Sequence, residues 1–232
     1  MKTEDIISLF QRMENPENVK GMLRYGIGGT GKMYGISIPL LRKLAKDIGT
    51  DHELAVKLWA TDIHEAHTLA TLTADTKMLT PALMEEWVVQ LYSWDICDQV
   101  VMNYFEKSSF AWEKAVEWSR REELFVKRAG FVMMARLAQS DRKAEDSRFR
   151  IFYEHIIRES TDGRNLVKKA VNWAIRQIGK RNISLNREML DVCETLLLSG
   201  NKTARWIALD AKRELSGDNV QQRLKKKENK SG

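Results

Sequence analysis

Trp94 and Asp98 lie four residues apart within Ser93-Trp94-Asp95-Ile96-Cys97-Asp98. On a helix that spacing puts an indole and a carboxylate on one face, where the carboxylate can stabilise a developing positive charge or orient a water. Ser93 reads as the helix N-cap, which makes Asp95 a first-turn acid matched to the helix dipole. Lys169, Trp173, Arg176 and Lys180 follow at steps of four, three and four, so they share one face of another helix. Cations interleaved with an indole suit a nucleic-acid strand, the cations facing phosphates and the flat ring facing sugar or base. The same pattern also fits a boundary core tryptophan with snorkelling neighbours. Two further basic stripes accompany it. Arg121 and Arg128 are seven apart with Lys127 adjacent, and Lys202, Arg205 and Lys212 run beside Trp206. Stacked, three such helices build one continuous cationic surface; otherwise they are scattered solvated charges.

Three other strings imitate functional motifs. Gly26-Ile27-Gly28-Gly29-Thr30-Gly31-Lys32 spells seven positions of a phosphate-binding loop, but the eighth is Met33 where a magnesium-holding hydroxyl is needed. The segment also follows a helical pattern instead of a buried strand, so a glycine-rich connector is expected. His64-Glu65-Ala66-His67 places its histidines three apart, not the four of a zinc helix, and no third ligand is near. A partly exposed helix face is the expectation there. Cys97 and Cys193 have no histidine at a motif distance and read as small buried thiols.

The elements that must position these residues are helices. Pro16, Pro39 and Pro81 are the three prolines, and Ser37-Ile38-Pro39 and Thr80-Pro81 put a capping side chain before a proline that a first helical turn tolerates. Apolar residues then recur at three and four: Leu40, Leu41, Leu44 and Ile48, then Leu83, Trp87, Val88 and Leu91. Like stripes run through Ile96–Phe105, Leu124–Leu137, Phe149–Ile157, Leu166–Ile178, Met189–Leu198 and Ala204–Leu215, with almost no strand-like alternation. Turns such as Thr161-Asp162-Gly163 and Ser199-Gly200-Asn201 are brief, which points to stacked antiparallel pairs. Similar features return every 35 to 45 residues or so, as in a helical-repeat solenoid. A compact helical bundle is the alternative.

With 232 residues, 43% hydrophobic and 30% charged, the chain has the balance of a globular protein with a real core. It holds no apolar run long enough to span a membrane. Met1-Lys2-Thr3-Glu4-Asp5 is acidic where a signal peptide is basic, so a cytoplasmic address is expected. Of the formal charge of +6, the last twelve residues carry +4, from Arg223, Lys225, Lys226, Lys227 and Lys230 against Glu228. Polyanion binding therefore has to be argued from where charges sit, not from their sum. No internal linker is evident; one domain over 1–216 and a disordered basic tail over 217–232 are expected.

Together these segments resemble the HEAT-like DNA alkylation repair glycosylases. Gly35-Ile36-Ser37-Ile38-Pro39-Leu40-Leu41-Arg42 is similar to the family's early glycine–proline–arginine segment, and Trp94-Asp95-Ile96-Cys97-Asp98 to its tryptophan-plus-aspartate motif. Lys127-Arg128-Ala129 matches its arginine-bearing helix, and Lys169–Arg176 its late tryptophan helix, in order across residues 20 to 210 or so. The resemblance implies an all-α, HEAT-like superhelical stack of antiparallel helix pairs with a basic concave groove. It gives Asp98 the catalytic aspartate role, Trp94 and Trp173 the sugar-contacting aromatic roles, and Arg128 the phosphate contact. It implies excision of cationic N3- or N7-alkylated purines from duplex DNA with no metal or organic cofactor. No lysine beside Asp98 offers an amine nucleophile, so a monofunctional enzyme is expected, and a monomer. A catalytically silent DNA-binding relative and a helical protein-interaction scaffold are the competing readings.

Overall fold

The computed structural model describes residues 1–29 and 31–229, and among them it is helical with no strand; a single isolated bridge joins Lys32 and Ile63. The chain divides into two compact units, Met1–Ser108 and Ser109–Gly232.

The first unit holds α1 (Thr3–Arg12), α2 (Pro16–Arg24), α3 (Ile38–Ile48), α4 (His52–Trp59), α5 (His64–Thr73), α6 (Pro81–Val89) and α7 (Trp94–Asn103). All three prolines fall in the first turn of a helix, where a missing N–H costs nothing. Asn15 and Thr80 cap their proline-led helices, accepting from Asn18 N at 3.1 Å and Leu83 N at 3.1 Å. Ser37 occupies the cap position of α3 without a side-chain bond. The unit's centre is aromatic: Trp59 and Trp87 stack with ring centroids 4.1 Å apart, and Tyr104 tilts against Trp87 at 5.3 Å. α5 packs against α3, α4 and α7 and is enclosed along nearly its whole length.

The second unit holds α8 (Ala111–Ser119), α9 (Leu124–Ser140), α10 (Asp146–Arg150), α11 (Tyr153–Glu159), α12 (Asn165–Gly179), α13 (Ile183–Leu198), α14 (Lys202–Leu215) and α15 (Asp218–Glu228). The stripe read as continuous over 149–157 is interrupted, α10 and α11 being separate short helices with Phe149 and Phe152 both buried. α9 is the unit's axis, packed on α8 and α12, and α12 in turn packs on α13 and α14. Gly130 sets the α8–α9 approach: a Cβ there would lie 2.5 Å from Ser119 N and 3.0 Å from the Ala115 carbonyl. The segment expected to be a disordered tail is instead helical over Asp218–Glu228, because Leu224 buries itself and anchors α15 on α13 and α14. Lys230 and residues 231–232 of that tail lie outside the described residues. Both cysteines are buried, as expected. No helix among the described residues is long and apolar enough to cross a membrane.

Candidate functional site

In the first unit, Trp94 opens α7 and Asp98 follows one turn later on the same helix, each partly exposed, while Ile96, Cys97, Val100 and Val101 bury the other side. Trp94 is held by a 3.1 Å hydrogen bond from its Nε1 to the Tyr25 carbonyl. Ser93 stands at the N-cap, but its hydroxyl does not cap: it donates to Asp95 Oδ1 and accepts from Gly28 N at 3.4 Å.

Asp95 begins a chain of polar contacts that leads into α5. Its Oδ2 lies 2.8 Å from His64 Nε2; His64 Nδ1 lies 3.2 Å from the Tyr92 hydroxyl, which lies 3.1 Å from His67 Nδ1; His67 Nε2 reaches the Trp59 carbonyl at 2.9 Å. The proton order follows from the ends. A carbonyl only accepts, so His67 Nε2 carries a proton and its Nδ1 accepts from Tyr92. The Tyr92 hydroxyl thus bridges the two imidazole rings, and the Asp95 carboxylate accepts from His64 Nε2. Burial pushes the Asp95 carboxyl up, but the His64 hydrogen bond and charge and the Ser93 hydroxyl outweigh it and hold Asp95 below the usual carboxylate range. Burial lowers His67, and the His64 charge adds to that effect against the Trp59 hydrogen bond. Burial, then the charge of Asp95, raises the Tyr92 phenol.

Glu65 supplies a second buried anchor. At 1% exposure its carboxylate accepts from the backbone N–H groups of Tyr34 at 3.0 Å, Gly35 at 2.7 Å and Ile36 at 3.3 Å. This fixes the glycine-led approach to α3. Gly35 has φ +73°, and a Cβ there would lie 2.3 Å from the Asn15 carbonyl, so only glycine fits. The expectation of a partly exposed face for His64–His67 is thus corrected: His64 and Glu65 are interior, because α5 is packed from several sides. A signal for this exists in the sequence, since residues 64–76 carry no lysine or arginine in a chain that is 30% charged. Among the described residues no group of three or more His, Cys, Asp or Glu side chains is arranged to hold a metal. The glycine-rich segment is a connector after α2; its Lys32 pairs with Glu14 at 2.8 Å, and Thr30 lies outside the described residues.

In the second unit, Arg128 is buried on α9, and its Nη1 donates to the Leu166 carbonyl in the first turn of α12 at 2.8 Å. Trp173 is half-buried on α12, with its Nε1 3.1 Å from the Gln177 amide oxygen. Lys169 is exposed, whereas Arg176 and Lys180 both donate to Glu214 of α14. Burial disfavours that glutamate's charge, but its two cationic donors prevail and lower its pKa.

Other members of the basic set are placed differently from the expectation. Lys127 does not face a ligand: it is 4% exposed, 2.7 Å from Glu159, 3.5 Å from Asp162 and 3.6 Å from Glu122. Burial opposes its charge, but the Glu159 hydrogen bond and the surrounding carboxylates raise its pKa, so this lysine neutralises an internal acidic cluster. Arg121 precedes α9 in the link from α8 and pairs with Glu123, so it shares no helical stripe with Arg128. On α14, Lys202 and Arg205 are exposed and Lys212 pairs with Glu194. Beside them is a contact the sequence did not reveal: Lys168 Nζ lies 4.3 Å over the ring of Trp206, which is 41% exposed.

No curated protein matches this chain. Among solved structures it is similar to one described as "A new family of proteins related to the HEAT-like repeat DNA glycosylases with affinity for branched DNA structures". The TM-score is 0.76 at 17% identity, covering 92% of this chain and 95% of that one. A weaker likeness, TM-score 0.39 at 14% identity over 80% and 79% of the two chains, is to a designed armadillo repeat protein in complex with the peptide (KR)4. The first of these establishes the HEAT-like fold. The family model described as "DNA alkylation repair enzyme" matches residues 6–219, and the chain belongs to that family.

Proposed function

We propose that this protein excises cationic N3- or N7-alkylated purines from duplex DNA by hydrolysis of the N-glycosidic bond. The observation that carries the reading is the pairing of Trp94 and Asp98 on one turn of α7, in a chain of the DNA alkylation repair family. An alkylated purine already bears a positive charge, so as the C1′–N bond breaks its electron pair neutralises the base and no strong general acid is required. Positive charge develops on the sugar instead. The Asp98 carboxylate stabilises that oxocarbenium-like sugar and receives the proton of the water that adds to C1′. The indole face of Trp94, on the same helix as Asp98, contributes through its ring quadrupole. Lys169, Lys202 and Arg205, exposed on α12 and α14, serve phosphates, with Arg128 positioned by α12 and Arg176 and Lys180 held in reserve by Glu214. The test is release of 7-methylguanine from duplex DNA. Asp98→Asn is expected to slow release by about 10²–10³-fold, and equal rates for the two proteins would defeat the assignment.

A second reading is favoured by the solved structure at TM-score 0.76, described as having affinity for branched DNA: recognition of DNA shape without base release. It predicts salt-sensitive binding to a four-way junction by a protein that liberates no base.

A further inference from the structure

A cleft of 1380 Å³ opens in the second unit where the C-terminal ends of α9 and α12 meet α10, the start of α13, and α15. We propose that this cleft binds the phosphodiester backbone of a nucleic-acid strand through Arg142, Arg181, Arg223 and Lys227. The inference deepens the DNA-repair reading, on which it rests for the identity of the phosphate bearer.

Charge carries the argument. Those four cations line the cleft together with Lys180, against the acids Asp146 and Glu228. Asp146 is engaged through both oxygens by Asn182 Nδ2, at 2.8 and 3.0 Å. Arg181 is fixed by bonds to carbonyls instead of to a carboxylate: Nη1 to Ala138 at 3.0 Å and Asp141 at 2.9 Å, Nη2 to Ala144 at 3.0 Å, with its plane 4.1 Å from the Phe149 ring. These bonds orient the guanidinium and leave its charge in place, and its buried Nε has no partner. Lys227 donates to the carbonyls of Lys180 at 2.9 Å and Arg181 at 3.1 Å, at the end of α12. Burial, then the charges of Arg223, Arg181 and Arg142, lower the Lys227 pKa. The cations are therefore close enough to repel one another, and an anion among them relieves that repulsion.

The shape selects the ligand class. The cleft exceeds the roughly 300–1,000 Å³ of ordinary small-molecule pockets and is partly open to solvent, so it has room for a segment of a strand. Gln177, which bonds Trp173, is one of its walls, so the cleft continues the α12 face already assigned to DNA. The first turn of α13, with Ile183 and Ser184 in the wall, adds backbone N–H groups without intrahelical partners.

The test uses the full chain and a fluorescent 20-base-pair duplex, with binding measured from 50 to 200 mM salt. Arg142 and Arg223 are both exposed, so R142E/R223E should keep the wild-type melting temperature; R142Q/R223Q repeats the measurement without charge reversal. The expected result is a loss of tenfold or more in affinity and a log–log salt slope shallower by about 2. K225E/K226E makes the same change in net charge on exposed residues outside the cleft and is expected to do much less. Equal effects of the two glutamate pairs, or an unchanged slope in R142Q/R223Q, overturn the proposal. Sodium tripolyphosphate is the second arm. If it binds through Arg142 and Arg223 while duplex binding ignores them, the ligand is a free polyphosphate and the strand assignment falls. If the slope changes as expected yet no alkylated base is released, the glycosylase reading fails and the cleft stands.

Discussion

Arg128 Nη1 donates to the Leu166 carbonyl at 2.8 Å, tying the second turn of α9 to the first turn of α12. The residue given a phosphate-contacting role by resemblance thus also fastens its own helix to the one that carries Trp173. Arg128→Ala removes a charge-assisted hydrogen bond between the two helices, a cost of about 2 kcal/mol, or about 4–8 °C in melting temperature for a chain of this size. It should weaken duplex binding as well. Calorimetry and binding on the same preparation separate the roles: lost affinity at an unchanged melting temperature would mean that the Leu166 bond contributes nothing.

Glu214 accepts from both Arg176 and Lys180, so the basic face of α12 is partly neutralised from within. Glu214→Gln frees two cations. We expect tighter duplex binding at low salt and a steeper salt slope, by as much as about 2. Weaker binding by this variant would show that Glu214 positions those cations for DNA instead of restraining them.

The all-helical fold was legible because its signals are local: three prolines at helix starts, and apolar stripes at helical period. The spacing of Trp94 and Asp98 on α7, and of the cations on α12 and α14, followed from the same periodicity. Partner choice did not. Lys127 and Lys169 look equally available in the sequence, yet one is buried beside three carboxylates and the other faces solvent, a difference set chiefly by Glu159 and Asp162, more than thirty residues along the chain. Arg121 was misplaced because a heptad step means nothing across a turn. The Asp95–His64–Tyr92–His67 chain was hidden for the same reason, since its members are 25 to 31 residues apart and meet only when α5 packs on α7.

Gly130 tests the close packing beneath Arg128. A methyl group there meets backbone of α8 at 2.5 Å, and backbone cannot swing aside as a side chain does. Although alanine is the better helix former, Gly130→Ala is expected to destabilise by about 1–3 kcal/mol. A rise in melting temperature, the outcome helix propensity alone dictates, would show that α8 and α9 are less closely apposed than the structure indicates.

The polar chain beneath α7 makes stability fall with acid in two windows. His67 is lowered, so the unfolded chain binds its proton first; stability is full above the unfolded value near 6.5 and declines as pH drops below it. Asp95 is also lowered, so its contribution is full above the unfolded value near 3.9 and is lost as pH falls through the lower folded value. Denaturant titrations from pH 8 to pH 3 should show both declines. His67→Gln, which keeps hydrogen-bonding groups without the titration, should flatten the upper window alone, and Asp95→Asn the lower one. Because Asp95 and Ser93 fix the start of the helix bearing Trp94 and Asp98, Asp95→Asn should also slow base release more than it weakens DNA binding. A variant with unchanged release and an unchanged acid limb would show that the Asp95–His64 pair neither stabilises the first unit nor positions its site.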